Sequence, residues 1–162
     1  MPTPMVTGAT IRWAGLDDVP ELMRLRRVMW ESIDYEVTAA DDAACVEILT
    51  EGLENGAFFA VVVDAPGGEP GLAACGVGMT ARRLPGPGNP AGLFGYIQSM
   101  VTDERFRGQG LARLVLDALL ERFVADGVSR VDLHASAAGE PLYRAVGFAP
   151  GRQPELRWAA GG

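Results

Sequence analysis

A glycine-bearing connection, Arg105-Phe-Arg-Gly-Gln-Gly-Leu-Ala112, joins a strand-like run to the strongest helical pattern in this 162-residue chain. Upstream, Leu93 to Thr102 is rich in β-formers. Downstream, Leu111, Ala112, Val115, Leu116, Leu119, Leu120 and Phe123 place one broad apolar face on a helix over Gly108 to Ala125, which Gly127 ends. A further strand pattern covers Val128 to Ala135. This order predicts a βαβ unit with a right-handed crossover. At its strand-to-helix junction glycines let backbone approach a ligand. The free N–H groups there, with about half a positive charge, favour a phosphate or pyrophosphate. Arg105, Arg107 and Arg113 stand close enough in sequence to add charge-assisted contacts. The plainer alternative is a glycine connection that only starts a helix.

Around this unit the chain reads as one domain over residues 1–162, with residues 1–8 expected to be flexible. Asp17 to Ser32 carries a helical period behind an Asp cap and an early Pro20, and a weaker helical pattern runs from Ala39 to Leu53. Ala57 to Asp64, Gly71 to Arg82 and Leu93 to Thr102, separated by Pro/Gly turns, predict an antiparallel meander. Gly139 to Ala145 reads as a short helix and Phe148 to Trp158 as at least one more strand. Helices on both faces of a mixed sheet make this an α/β (α+β) fold.

Composition removes several classes of chemistry. A net charge of −7 offers no basic footprint for nucleic acid or an anionic membrane. The longest apolar stretches, such as Ala57 to Val63, fall far short of a membrane span, and Met1 to Thr10 does not look like a signal peptide, so a cytoplasmic protein is expected. All 14 basic residues are arginine, which removes Schiff-base chemistry and the P-loop lysine. A GxGxxG fingerprint would need glycine where Arg113 stands. One histidine and two scattered cysteines, Cys45 and Cys75, cannot supply a zinc ligand set, so no metal is expected, and both thiols read as reduced and buried.

A second element, Pro141-Leu-Tyr-Arg-Ala-Val-Gly-Phe148, follows the last strand of the βαβ unit. With the glycine connection it resembles the GNAT superfamily of N-acetyltransferases. Arg107, Gly110 and Ala112 match the family's pyrophosphate motif [Q/R]-x-x-G-x-[G/A], and Tyr143, Gly147 and Phe148 match its later Y-x-x-x-G-F. The opening Ile11-Arg-Trp-Ala-Gly-Leu-Asp-Asp-Val-Pro20 looks like the family's first strand and helix.

The resemblance implies a mostly antiparallel mixed sheet with a splayed central strand pair, and acetyl-CoA as co-substrate. Met100, Val101 and Thr102 would pair with the pantetheine arm, and an N–H near Val101 would polarise the thioester. Arg107, Gly108, Gln109, Gly110, Leu111, Ala112 and Arg113 would hold the pyrophosphate. Tyr143 would be the general acid, with Asp132 and His134 as candidate bases beside bulk or ordered water. Ser136 stands where many members use asparagine to hold the coenzyme.

The acceptor is expected to be a small-molecule or peptide amine, with Trp30, Asp34 and Tyr35 at its rim. Five acids between Glu31 and Asp42 could draw a cationic amine there, or form an ordinary solvated loop. A homodimer is a family habit that Leu156 and Trp158 are compatible with. A non-catalytic acyl-CoA sensor or interaction module of the same fold, and a nucleotide-binding domain using the same loop, are the competing readings.

Overall fold

The computed structural model describes residues 8–161, so the flexible stretch expected over residues 1–8 lies, apart from Gly8, outside the described residues. Strand β1 (Ile11–Trp13) leads through a 3-10 turn, Leu16–Asp18, into helix α1 (Val19–Glu31). The turn displaces the helix start from Asp17, because the Asp18 carboxylate is taken by the Gly15 N–H at 2.8 Å and by Arg12. Helix α2 (Ala39–Asn55) begins with a capping box. Thr38 and Asp41 exchange side-chain-to-backbone bonds of 2.9 and 3.2 Å, and left-handed Gly56 stops the helix.

Strands β2 (Phe58–Asp64), β3 (Leu72–Arg82) and β4 (Leu93–Thr102) form the expected meander. Helix α3 (Leu111–Ala125) crosses to β5 (Val131–Leu133), and α4 (Glu140–Ala145) follows. The sheet order is β1-β2-β3-β4-β5, antiparallel except for the parallel β4–β5 pair. Pairing of β4 with β5 covers only Gly95 to Ile97 against Val131 to Leu133. Strand β4 continues to Thr102 with no strand beside it on that flank among the described residues.

Alternation along β2 divides the core in two. Ala60 and Val62 pack with Leu22, Met23, Leu25 and Leu49 of the N-terminal helices, whereas Phe59, Val61 and Val63 pack with Val115, Leu116, Leu119 and Phe123 of α3. The sheet makes room for the Phe123 ring with glycines: a Cβ on Gly95 would stand 2.6 Å from it.

The strand expected over Phe148 to Trp158 does not form. Pro150, Gly151 and Pro154 remove ladder donors and stiffness, and the apolar residues left, Leu156 and Trp158, are exposed. The strand expected over Val128 to Ala135 contracts to Val131–Leu133. Of the two thiols expected to be buried, Cys75 is, and Cys45 is only half-buried.

Candidate active site

The connection between β4 and α3 has the form of a candidate anion cradle. Asp103 closes a turn over Glu104–Phe106 by accepting from the Arg105 N–H at 3.1 Å. Arg24 reaches the same carboxylate from α1 at 2.8 Å. Burial pushes the Asp103 carboxyl up, but the bonds from Arg105 and Arg24 outweigh it and hold its pKa at about 2. The chain then passes through left-handed Gly108 (φ 73°) and Gly110 (φ 78°) into α3. No side chain caps this helix and no acid sits in its first turn. Among the described residues the N–H groups of 108 to 113 find no backbone acceptor, the first helical bond being Leu114 N–H to Gly110 O at 3.2 Å. Such a set of donors at a helix start fits a pyrophosphate.

The neighbouring arginines are less available than expected. Arg105 is held by Asp103 and Arg113 by Asp117 at 2.8 Å. Arg107 turns toward the strand and donates from Nε to the Thr102 carbonyl at 3.3 Å.

Strand β4 is bulged opposite Gly76: Cys75 pairs with Val101, but Val77 pairs with Gln98. Two residues, Ser99 and Met100, oppose this one glycine, and Ser99 takes a left-handed φ of 56°. The Ser99 carbonyl accepts from the Cys75 thiol at 3.5 Å, so it faces β3. In a planar trans peptide the following N–H, that of Met100, points away from this carbonyl, which makes it the candidate donor for the open flank of β4. Downstream, Asp103 N–H returns to Ala73 O at 2.9 Å, and alternation turns the Thr102 N–H and carbonyl to the open flank as well. Val101 instead faces its partner Cys75. The candidate outward donor near Val101 is therefore that of Met100. No glycine marks this left-handed position in the sequence, and the bulge was not foreseen.

Tyr143, on α4, is 9% exposed and packs edge-on against Phe148. Burial alone raises its pKa above the ordinary value, so the phenol stays protonated at neutral pH. A Cβ on Gly139 would lie 3.0 Å from the Tyr143 ring and 3.4 Å from Ser136 Oγ. Ser136 accepts from the Gly139 N–H at 3.2 Å, which engages its oxygen locally and leaves its O–H to donate.

Asp132 and His134 lie on the opposite side of the sheet, since Val131 and Leu133 pack into the α3 core. Arg130 approaches Asp132 at 3.6 Å. His134 Nδ1 is hydrogen-bonded to the Tyr96 hydroxyl, and its Nε2 lies 3.8 Å from Glu155. Tyr96 was not singled out in the sequence. Burial, followed by the charge of Glu155, raises its pKa.

A cavity of about 320 Å³ opens between α1 and α2, lined by Trp30 and Tyr35 together with Arg26, Arg27, Glu36 and Cys45. Asp34 is not in this lining; it adopts a left-handed turn with φ 61°. Asp41 and Asp42 line the cavity, but Asp41 is engaged by Thr38 and Asp42 is paired with Arg27 at 2.7 Å. The five-acid run therefore does not form a uniformly acidic wall. A second depression of about 510 Å³ lies on α3 around Asp117 and Val124. Among the described residues no cluster of His, Cys, Asp and Glu could hold a metal, and no helix is long and apolar enough to cross a membrane.

Comparison with solved structures finds the same fold. A predicted acetyltransferase from Clostridium acetobutylicum, solved with acetyl-CoA, superposes with a TM-score of 0.83 at 23% identity, covering 92% of this chain and 96% of that one. A GCN5-related N-acetyltransferase from Ralstonia eutropha JMP134 gives 0.79 at 25% identity, covering 93% and 99%. No curated protein sequence matches the chain. The model of the acetyltransferase (GNAT) family matches residues 19–148, a span from α1 to Phe148 that includes the anion cradle, the β4 bulge and Tyr143. The chain belongs to the acetyltransferase (GNAT) family.

Proposed function

We propose that this protein, as a single domain, transfers the acetyl group of acetyl-CoA directly to a primary amine of a small molecule or peptide. The observation that carries the reading is the uncapped start of α3, whose free N–H groups follow directly on the open flank of β4. A pyrophosphate on residues 107–112 leaves the pantetheine arm to run along Met100, Val101 and Thr102, pairing with the outward groups of Met100 and Thr102. Strand β5 leaves that flank open past Ile97.

When bound, acetyl-CoA supplies a thioester-activated acyl group and a thiolate that can leave. The chain's residues do the rest. The Met100 N–H polarises the acyl carbonyl as the amine nitrogen attacks it. The new C–N bond forms, the C–S bond breaks, and Tyr143 gives its proton to the departing sulfur. His134, oriented through Nδ1 by Tyr96, is the better placed candidate to take the ammonium proton; Asp132 is the weaker one beside Arg130.

The proposal includes a cytoplasmic protein that forms a homodimer through its C-terminal end. Leu156 and Trp158, 89% and 86% exposed, support that assembly, and sedimentation measures it. Thiol release from acetyl-CoA in the presence of amines, with the acetylated product identified by mass, tests the function. Tight acetyl-CoA binding without release on any amine would favour a sensor of the same fold.

A further inference from the structure

Arg26 connects the β4 bulge, beside the path proposed for acetyl-CoA, with the cavity lined by Trp30 and Tyr35, the two residues of the expected acceptor rim that the structure brings together. Its guanidinium donates to the Ser99 hydroxyl in the β4 bulge and lies 5.2 Å over the Trp30 ring, while its side chain lines the cavity between α1 and α2. Both partners are neutral. Among the described residues no carboxylate pairs with Arg26, although Arg24 pairs with Glu21 and Asp103, and Arg27 with Asp42. A half-buried guanidinium held by a hydroxyl and a ring keeps its charge and much of its donor fork for a group from outside.

The other lining residues limit what that group is. Two arginines, Arg26 and Arg27, face three carboxylates, Glu36, Asp41 and Asp42, so the surroundings are net negative and disfavour a phosphate dianion. One carboxylate carried by a zwitterion meets no such penalty. Ser99 immediately precedes Met100, whose outward N–H marks the place of the acyl carbonyl, so acid and amine must sit close together on the acceptor. An α-amino acid separates them by one carbon. Trp30 and Tyr35, with centroids 5.3 Å apart, offer a wall for its side chain. A cavity of about 320 Å³ stands at the lower end of the roughly 300–1,000 Å³ of small-molecule sites.

We infer that the acceptor is a free α-amino acid, bound through its carboxylate by Arg26 with its amine facing the acyl carbon whose oxygen the Met100 N–H holds. This rests on the acetyl-transfer reading above. The experiment is calorimetric titration with acetyl-CoA, followed by thiol-release kinetics on free L-amino acids, on their carboxamides and on simple alkylamines. Amino acids are expected to exceed their carboxamides in kcat/KM by on the order of 10- to 100-fold, the worth of a charged hydrogen bond. Arg26→Gln collapses that ratio, chiefly through KM, and Arg26→Lys restores part of it. The wild-type ratio decides the matter even if a variant fails to fold. Acetyl-CoA binding with carboxamides or alkylamines acetylated as well as amino acids overturns the amino-acid assignment and leaves the transferase standing. Binding without acetylation of any amino acid also overturns it. Absence of acetyl-CoA binding overturns both.

Discussion

Arg24 Nη1 donates to Asp103 Oδ2 at 2.8 Å, tying the first helix to the residue that ends β4 and opens the anion cradle. The two lie 79 positions apart in sequence, and Asp103 is the one buried charged side chain among the described residues. Its carboxylate also accepts from the Arg105 N–H and guanidinium, so one group fixes both the cradle and the helix packed behind it.

Replacing that carboxylate leaves two arginines without it. Asp103→Asn is expected to lose about 2 kcal/mol of stability, the scale of hydrogen bonds to a charged group. Folding lowers this carboxyl from 3.8 to about 2. Its contribution of about 2 kcal/mol is thus complete above pH 4 or so and fades as pH falls toward 2. Urea melts at pH 7, 4 and 2.5 should show wild type and variant converging with acidity; a constant gap contradicts this.

Gly110 starts α3 with φ 78°, a conformation that costs an L side chain about 1 kcal/mol. Gly110→Ala is expected to lower stability by that amount and to weaken acetyl-CoA binding by about tenfold. Gly127→Ala, with φ 78° at the other end of the helix, should show the strain alone. Titration of both variants separates backbone strain from lost anion binding.

Tyr143 is raised above an ordinary phenol by burial, so the alkaline limb of kcat is expected above pH 10. Tyr143→Phe should lower kcat by about 100-fold or more with little change in acetyl-CoA affinity, and should erase that limb. A variant that retains full turnover would remove Tyr143 from the chemistry.

Burial pushes the Cys75 thiol up to about 12, whereas Cys45 is half-buried and lines the cavity between α1 and α2 proposed for the acceptor. Iodoacetamide at pH 8 is expected to alkylate Cys45 and spare Cys75 in the native protein. Peptide mass mapping reads the result, and acceptor occupancy should slow the Cys45 reaction.

The elements most legible in the sequence were those with local punctuation. Helix α3 lies within a few residues of its expected span because Gly108, Gly110 and Gly127 bracket a clear 3.6-residue period, and β2 follows from Phe-Phe-Ala-Val-Val-Val between turn residues. The strand expected over Phe148 to Trp158 does not form, because two prolines and a glycine deny it a ladder. The working details of the site were not legible. Ser99 adopts its left-handed bulge through pairing with β3, and its contact with Arg26 spans 73 positions. Arg105 and Arg113 read as anion ligands from proximity alone, yet Asp103 and Asp117 claim them.

Acetyl-CoA, held by residues 107–112 and the open flank of β4 for transfer to an amine, is what the proposed function stands on. Calorimetric titration of the wild-type protein with acetyl-CoA, beside ATP and NAD as controls, tests it most directly. One site per chain, selective for acetyl-CoA, is expected. No heat with acetyl-CoA, or equal affinity for ATP, would contradict it.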